Sequence, residues 1–272
     1  MTQPVISIVI PSLNQDVFLE QAITSVLSQG YPALQLIVMD GGSTDGSAGI
    51  IARHASALAH WVSVPDDGPA QAIVQGFAAA TGDVLGFLNA DDFLLPGALA
   101  HVAAAFAGEP SVDVVSGHGY LAAPDGTLGA PMHSDAWNLR RFSFGACVLL
   151  QPATFFRRSA YDRAGGMPQT GRVCWDMELW AALARSGARF TTIPAFLAAF
   201  RLHPGSLTGR IEHLERRRRD ARAVMADLRG RPETGADRLV HSVFRIWKFA
   251  RHPFRSIRRR VFFFSTLNRW TP

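Results

Sequence analysis

The amino-acid sequence predicts an open α/β fold with a mostly parallel sheet, followed by a basic helical tail. Short apolar segments alternate with helical patterns from residue 5 to about residue 108, which is typical of a sheet covered by helices on both faces. The charge then changes sign along the chain. Residues 1 to 209 carry 10 Arg and 16 Asp plus Glu, whereas residues 210 to 272 carry 17 basic and 6 acidic side chains.

The predicted strands are continuous apolar runs, such as VISIVI at residues 5–10, because strands buried on both faces lack alternation. The predicted helices repeat apolar residues every three or four positions, and two of them end at Gly30 and Gly82. We expect Ser43 or Thr44 to cap the helix that runs through His54. In chain order the predicted elements are strand 5–10, helix 17–29, strand 35–39, the helix through His54, strand 60–64, helix 71–81, strand 83–89 and helix 97–107.

The pattern changes after residue 108. Residues 112–130 predict a hairpin whose turn is Pro124-Asp125-Gly126, since these residue types favour tight turns. A helix is predicted over residues 175–187 and a strand over residues 189–200, and the chain from Arg210 onward is expected to be helical.

The composition is that of a folded protein from a reducing compartment. The chain has 272 residues, 48% of them hydrophobic, and can bury a substantial core. Its 2 cysteines are too few for a disulfide framework or a cysteine-based zinc site. The amino terminus lacks the positive region of a signal peptide, and no run of about 18 apolar residues predicts a spanning helix. We therefore expect a cytoplasmic protein.

Polar residues follow three of the predicted strands, at residues 11–14, 40–43 and 89–92. The carboxyl ends of parallel strands share one edge of a sheet, where ligands of α/β proteins bind. The adjacent Asp91 and Asp92 repel each other, and a bound Mg²⁺ or Mn²⁺ that shares its shell with substrate phosphates would offset that repulsion. A single aspartate at such a place is also a common helix cap. Neither a dinucleotide-binding G-x-G-x-x-G nor a P-loop motif is present.

Five segments resemble, in order, the motifs of family 2 glycosyltransferases with the GT-A fold, over about residues 4 to 208. The segments are VISIVIPSLNQ, IVMDGGSTDGS, ATGDVLGFLNADD, QPATFFRR and CWDMELW. The resemblance implies transfer of a sugar from a nucleotide-diphosphate donor with inversion at the anomeric carbon. A UDP-sugar is the donor we expect before others, and Mn²⁺ or Mg²⁺ is the expected cofactor. The expected acceptor is a saccharide or lipid-linked saccharide of surface polysaccharide or glycolipid assembly. Residues 1–209 would form the catalytic domain and residues 210–272 the tail.

The resemblance also assigns roles to individual residues. Asp40 would accept a hydrogen bond from the base imino N–H, which favours uracil or thymine over cytosine. Asp91 would bind the metal, with His203 near the metal or the diphosphate; a lone surface histidine is the alternative. Asn89 departs from the aspartate that many relatives have, keeping hydrogen-bonding capacity without the charge. The full donor-site set is Pro11, Ser12, Asn14, Asp40, Asp67, Gly68, Gln71, Asn89, Ala90 and Asp92.

Asp176 matches the position of the family's catalytic base. The chemistry needs such a carboxylate, because the acceptor hydroxyl loses a proton as it attacks, while the metal stabilises the charge that develops on the leaving diphosphate. An ordinary acid near a helix amino terminus is the alternative for Asp176.

The tail mixes arginine with Ile, Trp and Phe, and we expect a peripheral anchor on an anionic membrane surface at its inner, cytoplasmic face. A basic helix packed on the catalytic domain is the alternative. Nucleic acid is not expected as a partner, since no recognised reading module is present. The side chains expected in the membrane interface are Trp247, Phe249, Phe254 and Phe262 to Phe264.

Two rival functions remain at this level. A catalytically silent GT-A domain would act as a membrane-associated nucleotide-sugar binding module, but Asp91, Asp92 and Asp176 are intact. A nucleotidyltransferase would need a glycine-rich loop with Lys or Arg after the first strand, and PSLNQD has neither feature.

Overall fold

The computed structural model describes residues 3–170, 173–206, 214–251 and 261–262. Among these residues the strands form one mixed sheet in the order β3-β2-β1-β4-β8-β6-β9-β5, with β7 beside β6. The strands are β1 Ile6–Ser12, β2 Leu34–Asp40, β3 His60–Ser63, β4 Val84–Phe87, β5 Phe93–Leu94, β6 Val114–Ala122, β7 Leu128–Met132, β8 Thr154–Arg157 and β9 Phe190–Arg201. The helices are α1 Asp16–Leu27, α2 Ser47–His54, α3 Pro69–Ala79, α4 Ala98–Gly108, α5 Leu139–Ser143, α6 Arg158–Arg163, α7 Trp175–Arg185, α8 Leu214–Arg229 and α9 Gly235–Arg251.

The amino-terminal half of the sheet is parallel, as the sequence predicts. β1 pairs in parallel with β2 and β4, and β2 pairs in parallel with β3. Every residue of β1 is buried because helices cover both faces: Ile8 packs in the cluster that holds Leu19 of α1, and Val9 in the cluster that holds Phe77 of α3. This two-sided cover explains the continuous apolar runs.

The carboxyl-terminal half of the sheet is mixed. The predicted hairpin is confirmed as β6 and β7, and Gly126 in its turn has a φ of 87°, a conformation that favours glycine. β9 runs parallel to β6, while β8 is antiparallel to both β4 and β6. β5 and β8 were not predicted, since segments of two and four residues are too short to show a periodicity.

The predicted cap of α2 is wrong. α2 begins at Ser47, and the backbone N–H of Ser47 donates to Asp45 Oδ1 at 2.9 Å. Ser43 instead donates its hydroxyl to Asp40, and Thr44 donates its backbone N–H to Asn14. The two expected caps therefore bind the loop after β1 and the carboxylate at the end of β2.

The described part of the tail is helical, as predicted, and packs against the rest of the described chain. Val224 of α8 is buried, and Asp220 accepts a hydrogen bond from the backbone N–H of Val173 just before α7. The predicted domain boundary at residues 209 and 210 falls in the stretch 207–213, outside the described residues. Within the ranges that the structure covers, no helix has the length and apolar character needed to cross a bilayer.

Candidate functional site

The loops after β1 and β2 are bound together at the carboxyl edge of the sheet. The parallel register sets Ser12 directly beside Asp40. Asn14 has a φ of 51°, in the left-handed region that asparagine tolerates better than most residues. Its Oδ1 accepts from Thr44 N at 2.9 Å, and its own N–H donates to Ser43 Oγ at 2.7 Å. Asn14 thus holds the loops after β1 and β2 together. The preceding residues Pro11 and Ser12 are buried.

The Asp40 carboxylate is a buried and oriented acceptor, only 1% exposed. It accepts three hydrogen bonds, from Ser43 N at 3.0 Å, Ser43 Oγ at 2.5 Å and Ser63 Oγ at 2.6 Å. A carboxylate offers about four lone-pair positions, so about one remains for a ligand. Sequence reasoning missed Ser63, which reaches this site because β3 pairs in register with β2.

Asp67, Gly68 and Gln71 lie at the start of α3. The backbone N–H of Asp67 donates to Gln71 Oε1 at 2.7 Å, and Gln71 Nε2 donates back to Asp67 Oδ2 at 3.1 Å. The adjacent Asp66 touches the loop after β2, because a Cβ placed on Gly41 would come within 3.0 Å of Asp66 Oδ2. The start of α3 therefore joins the site formed by the first two strands.

Asp91 and His203 meet although they are far apart in sequence. Asp91 Oδ2 lies 3.1 Å from His203 Nε2, and the Asp91 side chain keeps 20% exposure. His203 is only 6% exposed, and its ring centroid lies 4.6 Å from that of Phe18. His203 is therefore no lone surface histidine, and its imidazole faces the carboxylate that the sequence assigns to the metal.

Arg201 holds this part of the site, and sequence reasoning missed it. The guanidinium donates to Asp91 O at 2.7 Å, to Pro124 O at 2.5 Å and to Gln21 Oε1 at 2.5 Å. It also lies over the ring of Phe18 at 4.7 Å. The one available signal is an arginine at the end of the apolar run 193–200, two residues before His203, because a buried cation must have partners.

Asp92 is buried at 1% exposure. Its Oδ1 accepts from Arg201 N at 2.9 Å, and its Oδ2 is buried with no hydrogen bond from a described residue. Burial, and then the charge of Asp91, raise the pKa of Asp92 well above its ordinary value. A nearby cation would stabilise this carboxylate, and Asp91 with His203 offers donor atoms of the kinds that a divalent ion binds.

The described residues do not form a complete metal site. Among the described residues, no group of three or more His, Cys, Asp or Glu side chains is arranged to hold a metal ion by itself. Mg²⁺ and related ions usually bind one or two carboxylates and complete their shell with water and substrate phosphates. Asp91 and His203 would therefore supply only part of the shell of such an ion.

The side-chain amide of Asn89 is hydrogen-bonded to Gln151, a third residue that sequence reasoning missed. Gln151 Nε2 donates to Phe87 O at 2.7 Å, which leaves its Oε1 to accept from Asn89 Nδ2 at 3.1 Å. An aspartate at position 89 would face that oxygen without a proton to donate. The departure from the family pattern at Asn89 therefore has a local cause. Ala90 next to it is buried and packs in the core.

Asp176 stands in the first turn of α7, where its side chain is half-buried. Burial raises the pKa of Asp176, while the Met177 backbone N–H and the Arg217 charge oppose that rise. No hydrogen bond between described residues joins Asp176 to Asp91 or His203, and the neighbouring stretches 171–172 and 207–213 lie outside the described residues.

The sequence matches the family model described as Glycosyl transferase family 2 over residues 7–162. The chain belongs to glycosyltransferase family 2. A relative in Mycobacterium tuberculosis, named an uncharacterized glycosyltransferase, is 33% identical over 232 residues, covering 83% of this chain and 82% of the relative. The O-antigen biosynthesis protein RfbC of Myxococcus xanthus is 34% identical over 206 residues, covering 72% of this chain and 16% of RfbC.

Solved glycosyltransferase structures share the fold. Glucosyl-3-phosphoglycerate synthase from Mycobacterium tuberculosis, in complex with Mn²⁺, UDP and glucosyl-3-phosphoglycerate, superposes with a TM-score of 0.57 and 20% sequence identity. The match covers 85% of this chain and 82% of the synthase. The predicted family and GT-A fold are confirmed, and this glycosyltransferase is an enzyme of the transferase class.

The pairing of Asn89 with Gln151 predicts the effect of restoring the family aspartate. Asn89→Asp should lower the free energy of unfolding by about 1–3 kcal/mol, because two acceptors would then face each other in a partly buried place. Denaturant unfolding of the ligand-free protein measures this. Asn138→Asp is the matched control, since Asn138 caps α5 by accepting from Arg141 N and aspartate caps equally well. Equal stability of the two variants would contradict the pairing.

The contacts of Arg201 predict a separate effect on the turn that carries Asp91. Arg201→Lys should weaken UDP binding in Mn²⁺ about tenfold, because an ammonium cannot reproduce the planar fork that orients the Asp91 backbone. Arg157→Lys is the control, since Arg157 also donates to two backbone carbonyls, those of Val112 and Phe106, outside the site. Both variants should lose stability, and calorimetry should find weaker UDP binding in the first alone. The positioning role fails if the two variants bind UDP equally.

Proposed function

We propose that this glycosyltransferase moves a sugar from a UDP-sugar to an acceptor hydroxyl with inversion at the anomeric carbon, using a divalent cation. The observation that carries the proposal is the convergence of an oriented carboxylate, Asp40, and an acid–imidazole pair, Asp91 and His203, at one edge of the sheet. The synthase that shares the fold was solved with both Mn²⁺ and UDP, which supports the same donor chemistry here.

The Asp40 carboxylate favours uracil or thymine over cytosine as the base of the nucleotide donor. Its remaining acceptor position suits a ring N–H, which uracil and thymine present and cytosine lacks. The three hydrogen bonds that Asp40 already accepts hold this position fixed before the ligand arrives. A prearranged acceptor favours a base that carries a ring N–H, because a base without that donor would face the carboxylate without forming this additional hydrogen bond.

The metal would be held by Asp91 and His203. The buried carboxylate of Asp92 follows Asp91 directly in the chain. When bound, the ion would stabilise negative charge on the departing diphosphate. Carboxylates suit both Mg²⁺ and Mn²⁺, whereas imidazole is a softer ligand than Mg²⁺ prefers, so we place Mn²⁺ first. The burial of Asp92 supports this role, since its carboxylate lies where a second positive charge would stabilise it.

Asp176 is the proposed catalytic base. The acceptor oxygen attacks the anomeric carbon from the face opposite the diphosphate and forms the new C–O bond, and the bond to the diphosphate breaks. The proton of the acceptor hydroxyl passes to the Asp176 carboxylate. The raised pKa of Asp176 strengthens it as a base and moves the loss of activity on acidification to higher pH than for a solvent-exposed carboxylate.

The acceptor is proposed to be a saccharide or lipid-linked saccharide at the cytoplasmic face of a membrane. The relative named O-antigen biosynthesis protein RfbC supports a place in surface polysaccharide or glycolipid assembly. Residues 1–209 would carry the chemistry and residues 210–272 the association with an anionic membrane. The alternative, a silent binding module, predicts UDP-sugar binding without any release of UDP.

Asp176→Asn should retain UDP binding and lower catalysis by about 100-fold or more, because a positioned base contributes roughly 10²–10⁴-fold. The measurement is UDP release from a panel of UDP-sugars with water as acceptor, which avoids the need for the natural acceptor. Asp162→Asn, an exposed acid on α6, is the control and should match the parent.

The pH profile of the parent enzyme adds a readout. Activity should fall as pH drops through the raised pKa of Asp176, because only the deprotonated carboxylate accepts a proton. Full UDP release by Asp176→Asn would remove Asp176 as the base, and no release by the parent with any UDP-sugar would favour the binding module.

A further inference from the structure

The helix α9 is fixed to the catalytic domain by one of its faces. His241 Nδ1 donates to Phe144 O at 2.7 Å, and the Phe244 ring lies 6.4 Å from the Phe144 ring. Lys248 Nζ forms an ion pair of 2.6 Å with Asp135 Oδ2. These residues recur at spacings of three and four, so they form one stripe along the helix. The docking stripe of α9 is therefore His241, Phe244 and Lys248.

The opposite side of α9 is apolar and exposed. Leu239, Val243 and Ile246 follow one another at spacings of four and three and are 67%, 55% and 68% exposed. At 3.6 residues per turn this outward stripe points away from the docking stripe. Large aliphatic side chains that share one exposed helix face mark an interaction surface, whereas scattered ones do not.

Positive charge lies on one flank of α9, between the outward stripe and the docking stripe. The Arg238 side chain is 70% exposed and lies 3.7 Å from Glu233 Oε2, and Arg245 is exposed one turn before Lys248. From Arg238 to residue 272 the sequence has nine basic residues and no acidic one. An apolar face bordered by arginine is the pattern of a helix that lies in the interface of an anionic bilayer.

We propose that the outward stripe of α9, formed by Leu239, Val243 and Ile246, enters the surface of an anionic membrane while the docking stripe holds the catalytic domain against it. Arg238 and Arg245 bind the lipid phosphates at its border. The inference rests on the membrane association proposed for residues 210–272 and names the helix face that makes it, and it is independent of the donor-site chemistry. It fixes which side of the enzyme faces the lipid, and so the side from which a lipid-linked acceptor approaches.

The structure does not support a membrane contact for every aromatic residue that the sequence predicts in the membrane interface. Phe262 packs in a cluster with Leu121, Ala130 and Leu202, and its ring lies over Gly129, so it contacts the domain. Trp247 and Phe249 are 43% and 42% exposed and lie on opposite borders of the outward stripe. Phe254, Phe263 and Phe264 lie outside the described residues.

A charged polymer fits this surface less well than a bilayer. Nucleic-acid binding needs cations to neutralise phosphates and gains nothing from three exposed aliphatic side chains in a row. A bilayer surface uses both features at once, since apolar burial and attraction to anionic lipid add together.

The test is co-sedimentation of the full chain with vesicles of phosphatidylcholine alone and with added phosphatidylglycerol. The parent should bind the anionic vesicles, and the triple variant Leu239→Glu, Val243→Glu, Ile246→Glu should bind them at least about tenfold more weakly. Val17→Glu is the matched control, because Val17 is an aliphatic residue of α1 with 79% exposure. The double variant Arg238→Gln, Arg245→Gln is a milder change. It should weaken binding to the anionic vesicles and leave binding to phosphatidylcholine vesicles unchanged.

Unchanged thermal unfolding and UDP binding of the variants show that lost sedimentation reflects the surface and not misfolding. The proposal is overturned if the parent ignores anionic vesicles or if the triple variant binds them as the parent does. It is also overturned if the parent is a dimer that the triple variant dissociates, since the stripe would then be an interface between copies. Binding to duplex DNA as tight as to vesicles, and kept by the triple variant, would assign the arginines to nucleic acid instead.

Discussion

The buried guanidinium of Arg201 is the interaction on which the site depends. It joins four parts of the chain: the end of β9, the turn that carries Asp91, the β6–β7 hairpin through Pro124 O, and α1 through Gln21. A buried charge costs several kcal/mol unless its donors are satisfied, and here the hydrogen bonds and the Phe18 ring provide that satisfaction. The position of Asp91 relative to the sheet is therefore set by long-range packing and not by its own turn.

The same place holds a feature that opposes stability. Asp92 is buried beside Asp91, and burial with like charge raises the pKa of Asp92, so its ionised form is disfavoured in the folded protein. Proteins keep such costs at functional sites, where an incoming charge removes them. Asp40 differs from Asp92, because three hydrogen bonds stabilise the Asp40 carboxylate before any ligand binds. The proposed roles match this contrast, since Asp40 would bind a neutral base and Asp92 would lie near a cation.

Sequence reasoning located the strands and helices up to residue 108 because buried parallel strands produce long apolar runs and helices end at glycine. It could not locate β5 and β8, which are too short to show a pattern. Of the candidate site, it singled out Asp91 and Asp92 through their unusual adjacency, and Asp40 and Asp176 through the family resemblance. It missed Arg201, Gln151 and Ser63 because their importance arises only when distant strands pair, and no local pattern encodes that. The expected cap at Ser43 failed for a local reason, since Asp40, three residues earlier, accepts that hydroxyl.

The central claim is that the edge formed by Asp40, Asp91 and His203 binds a uridine diphosphate together with a divalent cation. Isothermal titration of UDP into the ligand-free protein, once with Mn²⁺ and once with a chelator in its place, tests this most directly. UDP should bind at least about tenfold more tightly with Mn²⁺, because the ion shares its shell between Asp91 and the phosphates. Binding of UDP with equal affinity in both conditions, or no binding in either, would contradict the account.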